Sequence, residues 1–477
     1  MWGRAVNHYR FSRMIAFAGA FLAYTGISGG SASAATPVVG AVDAPVLAAA
    51  VPNEIGGAGL GAAMRFENSP YRGGGTRNDF VPLYVYEGKR VFLEAYRFGL
   101  KLDETLESRF DMFLGYRFEG FPYDRIPASL SGMANRGTGV DLGLHYQYSK
   151  PWGTLFGDVL RDVAGGSNGT ELRAGYSYSW ELGKLTLRPQ FALAARDAKL
   201  NNYYYGVRPG EATASRPAYN PGSGINTEFG LSAVYKVSAR WKLLGGLSVK
   251  RLSLGIRSSS IVEDRPQLAG LLGVAYDFSP DHDAWPDGRP LIVKGSYGKS
   301  TNCDFAKVML LKCFSTTTTD NTRIAALELG RPFIERLNGL PLDFVGYLGL
   351  THHDERGLQS NSEQVNTYMK AYYYGFPWSQ HVRTRIGFGA GVSYAQRVPF
   401  VEARDQFNRG RSSSKLLNYL DLSADVSIGD LIGIKSMRET YMGIGVSHRS
   451  GIFGTSHLLG NVSGGSNYIY SHLEWRM

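Results

Sequence analysis

The chain has 477 residues, with 60 Gly, 29 Tyr and 24 Phe, only 19% charged residues and a formal net charge of +10. The basic excess is modest and contains no Lys/Arg block, which excludes a nucleic-acid-binding chain. A glycine- and aromatic-rich, weakly charged composition without a long apolar helix points to exported β-structure.

The first segment is a targeting signal. Arg4, Arg10 and Arg13 precede an apolar run from Met14 to Tyr24, and the small-residue site Ala32-Ser33-Ala34 follows. This pattern predicts a secretory signal peptide over residues 1–34, since the apolar run is far shorter than the roughly 20 residues of a spanning helix. Its removal takes away three arginines and no acid, so the net charge falls from +10 to +7. A surface of that sign suits anionic lipid or cell-wall polymer. Residues 35–54 then read as a small-residue tether.

From Gly57 to Phe278, segments of about ten residues alternate apolar with polar or small side chains between turn-rich stretches. In "GTGVDLGLHYQYS", Val140, Leu142, Leu144 and Tyr146 share one face, while Asp141, Gly143, His145 and Gln147 share the other. "RFDMFLGYRFE", "KLTLRPQFALAAR" and "LAGLLGVAYDF" repeat the pattern. A soluble β-sandwich would also alternate. Tyrosine and phenylalanine near the segment ends, where membrane barrels carry aromatic girdles, favour a transmembrane barrel of ten to twelve strands over residues 55–278.

"SPDHDAWPDGRP", Ser279 to Pro290, is rich in proline and aspartate and follows the aromatic finish Tyr276-Asp277-Phe278. It reads as a linker over 279–290 between two tandem barrels. The alternative is one large barrel of about twenty strands. Residues 291–477 predict eight strands, near 291–299, 322–331, 342–351, 365–375, 381–396, 415–428, 439–450 and 467–476. With both ends in the periplasm, the longer connections after odd strands face outside. The expected fold is therefore all-β, a transmembrane outer-membrane barrel architecture of a Gram-negative bacterium.

Cys303 and Cys313 fall in the first external loop of this second half. In an oxidising compartment they predict a loop disulfide, because two thiols without a nearby paired histidine make an incomplete metal site. "THHDE" is no metal site either, since His352 and His353 are adjacent and project to opposite sides of a strand. Gly-x-Gly pairs lack a strand-loop-helix context, so phosphate binding is rejected. No cofactor is expected.

Two family resemblances enter on particular residues. "NNYYYGVRPGEATASRPAYNPGSG", Asn201 to Gly224, followed by "RWKLLGGLSVKRL" and "SSSIVEDRPQLAGLLGVAYDF", resembles the MipA/OmpV family of outer-membrane proteins over about residues 55–278. That resemblance implies a barrel with a scaffold role, linking a murein transglycosylase to a peptidoglycan synthase, or a porin-like role, with no catalytic residues. The Tyr203–Gly224 stretch, rich in Gly, Pro and Asn, reads as a long external loop that folds over the barrel mouth or contacts a partner.

The second half is similar to eight-stranded lipid A deacylase barrels of the PagL type through His448-Arg449-Ser450, which matches their His-x-Ser motif. Gly451 stands where that family has Asn, and "GNVSGGSN" stands where its acid-bearing loop belongs. Two residues apart on a strand, His448 and Ser450 share the face of Met442, Ile444 and Val446, with Cβ atoms about 7 Å apart. The resemblance implies an esterase acting on outer-leaflet lipid A, with Ser450 as nucleophile and His448 as general base. Glu402, Asp405, Asn461 and Asn467 are the candidates for a third member, while Glu474 points into the lumen. The bland reading is that strand ends reach the headgroup zone, where His and Ser are tolerated. Expected partners are outer-membrane lipid and lipopolysaccharide, with murein-processing enzymes implied by the first resemblance.

Overall fold

The computed structural model describes residues 57–94, 97–121, 126–137, 139–164, 166–278, 289–411, 413–451, 462 and 465–477. The expected signal peptide, the tether, most of the linker and Asn461 lie outside the described residues. Two compact units divide the chain between Pro280 and Asp281.

The first unit contains β1 (Ala58–Asn68), β2 (Thr76–Glu87), β3 (Val91–Glu94), β4 (Arg97–Glu104), β5 (Ser108–Arg117), β6 (Gly139–Lys150) and β7 (Gly153–Asp162). There follow β8 (Thr170–Ser177), β9 (Trp180–Leu182), β10 (Leu185–Arg196), β11 (Gly224–Lys236), β12 (Trp241–Arg251) and β13 (Gln267–Asp277). Neighbours pair antiparallel, β13 returns to β1, and β10 pairs with β11. The three-residue β9 prolongs β8 along β10, so the ring is a 12-strand barrel.

Alternation decides which face is which. On β6, Leu144 and Tyr146 are exposed, whereas Asp141, His145 and Gln147 are buried. An apolar exterior around a polar interior is the arrangement a bilayer demands. Short connections gather at one end, where Trp152 stacks on Tyr176 at 6.4 Å and Trp241 meets Tyr276 edge-on at 5.0 Å. These rings form an interfacial girdle at the periplasmic end. The long segments 118–137, 197–223 and 252–266 gather at the other, and carry α1 (Ala198–Tyr205) and α2 (Leu254–Arg257).

The second unit is a closed eight-stranded barrel of β14 (Ile292–Ser300), β15 (Arg323–Ile334), β16 (Leu342–Asp354), β17 (Ser362–Tyr373), β18 (Thr384–Ala395), β19 (Leu416–Ser427), β20 (Thr440–Ser450) and β21 (Asn467–Arg476). Every strand begins within three residues of its expected start. Its external loops carry α3 (Phe305–Met309) and α4 (Phe400–Asn408), and α5 (Ile428–Ile432) lies at the opposite end. No described strand of one unit pairs with the other, so two barrels form and the single large barrel does not.

Candidate functional site

On β20, His448 and Ser450 have the outward parity of Met442, Ile444 and Val446. Met442 and Ile444 are 46% and 55% exposed, but His448 and Ser450 are each only 8% exposed. The difference is a flap. Cys303 and Cys313 form a disulfide with Cα atoms 5.7 Å apart, and it clasps α3 against the outer wall. The Phe305 ring stacks on the His448 ring at 5.2 Å and 23°. Beneath it, Cys303 and Val308 pack on Val446, with Leu422 and Ile469 at the margin. The expectation that His448 faces hydrocarbon is corrected: a histidine is tolerated on this face because a phenyl ring and a cysteine-closed turn roof it.

Beside Ser450, a Cβ added to Gly451 would fall 2.3 Å from the Val462 carbonyl oxygen. Val462 therefore lies directly against the strand end that carries Ser450.

Arg449, between the two, points the opposite way into the lumen. Its Nε donates to Glu402 Oε2 at 2.9 Å, Nη1 to Ser393 Oγ at 3.0 Å, and Nη2 to the carbonyl oxygens of Ser414 and Lys415 at 3.0 and 3.1 Å. Glu402 is fully buried on α4 and also takes the Ser413 hydroxyl. Glu402 is thus the counter-ion of Arg449 on the lumen side. Asp405 pairs with Arg404 at 2.9 Å on the exposed side of α4. Asn467 is the candidate that does stand beside His448, as its cross-strand partner, and its Nδ2 donates to the Cys303 carbonyl at 3.1 Å. Among the described residues His448 and Asn467 come together, while Glu402 and Asp405 are paired with Arg449 and Arg404.

Both lumens are filled with paired charge. In the second barrel Lys294 meets Glu328 at 2.8 Å, Lys370 meets Asp421, and Arg385 bridges Asp425 and Glu474 at 2.8 and 2.6 Å. Tyr347, Tyr368 and Tyr470 donate to these carboxylates at 2.6–2.9 Å. Gly445 makes this possible, since a Cβ there would lie 2.5 Å from the Tyr470 ring. Between Glu328, Asp421, Arg449 and His353 the side chains leave a void of about 10 Å³, room for one water at most. His352 turns outward to Glu363 and His353 inward to Gln364, as adjacent strand residues must. Among the described residues no three metal-ligating side chains gather.

In the first barrel, Arg117 joins Asp141 and Glu171 at 2.9 and 2.8 Å, and Arg109 joins Asp111 and Glu87 at 2.7 and 2.8 Å. Above them the long loops build a closed apolar cap. Tyr71, Leu200, Tyr204, Tyr205, Ile256 and Ile261 are all nearly inaccessible and form one cluster. Each buried side chain of this size contributes roughly 1.5–3 kcal/mol, so the cap has a packed core, and beside it Ile126, Met133, Arg208 and Glu211 line an open cleft of about 750 Å³. Polar stitches hold its parts together. Glu211 accepts from Arg136 at 2.5 Å and from the Ala134 amide at 2.9 Å, while Arg216 donates to the carbonyls of Ser129 and Ser131. Burial pushes the Glu211 carboxyl up, but the hydrogen bonds from Arg136 and the backbone amides of Ala134 and Arg208 outweigh it and hold it at about 2.

A polar-lined, apolar-walled pair of barrels with an aromatic girdle defines an integral outer-membrane β-barrel protein, and the relatives agree. "Outer membrane protein Omp26La" of Vibrio anguillarum and "Outer membrane protein OmpV" of Vibrio cholerae are each 32% identical over 160 residues, covering 33% of this chain and 62% of their own. The chain thus spans less than two thirds of the length of these relatives. Residues 60–278 match the family model "MltA-interacting protein MipA", so the first barrel is a MipA family domain. The "MltA-interacting protein" of Escherichia coli is 26% identical over 223 residues, covering 46% of this chain and 89% of its own. The siderophore receptor PirA of Acinetobacter baumannii aligns over 89% of this chain and 81% of its own at 8% identity and a TM-score of 0.26, too low to bear on fold or function. Residues 291–477 lie outside the matched family range.

Proposed function

We propose that this protein is a non-enzymatic scaffold of the outer membrane that works by contact with a murein-processing enzyme, not by transport. The observation that carries this reading is the apolar cap over the first barrel, which leaves its aromatic side chains engaged with one another instead of lining a channel. The MipA family domain and the likeness to a protein named for its interaction with MltA support a partner of the murein-transglycosylase class. The periplasmic turns expose Lys89, Arg90 and Lys184 beside Asp103, Glu107 and Glu181, a rim of mixed charge that can pair with a partner surface.

The second barrel fits the same reading. A nucleophile needs its base within hydrogen-bond reach and a path for substrate. Phe305 stands over His448, and Glu402 is taken by Arg449. Affinity capture tests the proposal. Full-length protein reconstituted in lipid should retain a purified murein transglycosylase, and Lys89→Glu/Arg90→Glu/Lys184→Glu should weaken retention severalfold and more so at high salt. Absence of retention by the native protein would refute the scaffold reading.

A further inference from the structure

The disulfide flap has two sides, and only one is accounted for. Its inner side packs on the wall through Phe305 and Val308. Its outer side presents Met309, Leu310, Leu311 and Phe314 at 45%, 63%, 77% and 45% exposure. The tip is conformationally expensive: Leu311 follows the helix end with φ at +56°, in the left-handed region where glycine would be easier by about 1 kcal/mol. A leucine held in that backbone, and more exposed than any other apolar side chain of the flap, points to a surface contact.

The flap's height identifies the medium. It packs on Val446, whose strand neighbours at the same level are Leu422 on β19 and Ile469 on β21, and Lys299 of β14 pairs with Ile469. Lys299 faces outward and is exposed, and its cross-strand partner Arg323 donates to the outward Tyr297 hydroxyl at 3.0 Å. Outward cations at this level mark the headgroup zone, since an unpaired charge on hydrocarbon is costly. Below it, Met442, Ile444 and Leu473 continue the apolar belt. The flap is therefore continuous with the lipid-facing wall.

Its charges complete the pattern. Lys307 and Lys312 flank the apolar tip. Lys307 is paired with Asp304 at 3.0 Å, while Lys299 and Lys312 have no acidic partner among the described residues. Asp320, the other acid of the loop, is turned inward to Arg404, Ser300 and Thr318.

We infer that the flap is a lipopolysaccharide-binding anchor: Leu310, Leu311, Met309 and Phe314 enter the acyl layer of the outer leaflet, and Lys299, Lys307, Lys312 and Arg323 receive the phosphates of the glycolipid. Short apolar elements with flanking lysines bind interfaces through both components. The disulfide holds the flap on the wall at this level.

Hydrogen exchange of the full-length protein in nanodiscs tests this, with discs of phosphatidylethanolamine alone, with added phosphatidylglycerol, or with added lipopolysaccharide. Amides of residues 305–314 should exchange about tenfold more slowly with lipopolysaccharide than in either phospholipid disc. Leu310→Glu/Leu311→Glu and Lys307→Glu/Lys312→Glu should each abolish that difference while heat-modifiable migration of the barrel persists. Equal protection in phosphatidylglycerol and lipopolysaccharide discs would overturn the glycolipid assignment. Equal exchange in all three, or variants indistinguishable from the native protein, would overturn the anchor.

Discussion

Arg449 and Glu402 form an ion pair whose two side chains are 2% and 0% exposed, and its loss should be felt through the whole second barrel. Arg449→Ala strands a buried carboxylate, which costs about 3–5 kcal/mol and should lower the temperature of heat-modifiable unfolding. Adding Glu402→Ala should recover part of that loss, as coupled neighbours do. Glu211 gives a pH signature. Its folded carboxyl sits at about 2, below the ordinary value near 4.3, so its contribution to the cap is complete above that ordinary value and disappears as pH falls toward 2. Exchange protection of residues 198–211 should hold from pH 7 to 5 and decline below 4; Glu211→Gln should remove the pH dependence. At this scale the sequence was a partial guide. The parity of His448 and Ser450 follows from a period of two and was legible, but their burial was not, because the roof comes from a loop some 140 residues away. Glu402 stands between β18 and β19, and whether it turns toward the lumen depends on α4, which no period announces.

The strands were the legible elements: apolar and polar sides alternate, and the bilayer forces a single assignment of faces. Glu474 on the lumen side of β21, bonded to Arg385, follows from that rule. The loops were legible only as loops. In the Tyr203–Gly224 stretch the composition signals turns, but the packing of Tyr204 and Tyr205 against Tyr71, Ile256 and Ile261 depends on contacts across three separate segments. The cysteine loop behaves similarly, with the oxidising compartment suggesting a disulfide and nothing indicating which wall it lies on. Cys303→Ser/Cys313→Ser should loosen this flap without unfolding the barrel, since a loop of this length gains roughly 2–3 kcal/mol from closure. Protease should then cut near Lys307 and Lys312 in the variant and spare the native protein. Cleavage of both alike would show that the disulfide does not hold the flap.

As a whole molecule the protein consists of two barrels whose interiors are occupied by their own side chains. Ion pairs and tyrosine hydroxyls fill the second lumen, and an apolar cap closes the first. A buried charge is stable there only while its partners remain. The flap over His448 likewise bears on hydrolysis. Lipid A from cells producing the native protein and its Ser450→Ala variant should have identical acylation by mass spectrometry, and loss of one acyl chain with the native protein alone would restore the esterase reading. The central proposal is that the protein acts by contact and passes no solute. Planar-bilayer recording of the purified, heat-modifiable full-length protein tests it most directly: the proposal predicts a silent membrane across a range of voltages, and stable, reproducible conductance steps that scale with salt concentration would contradict it.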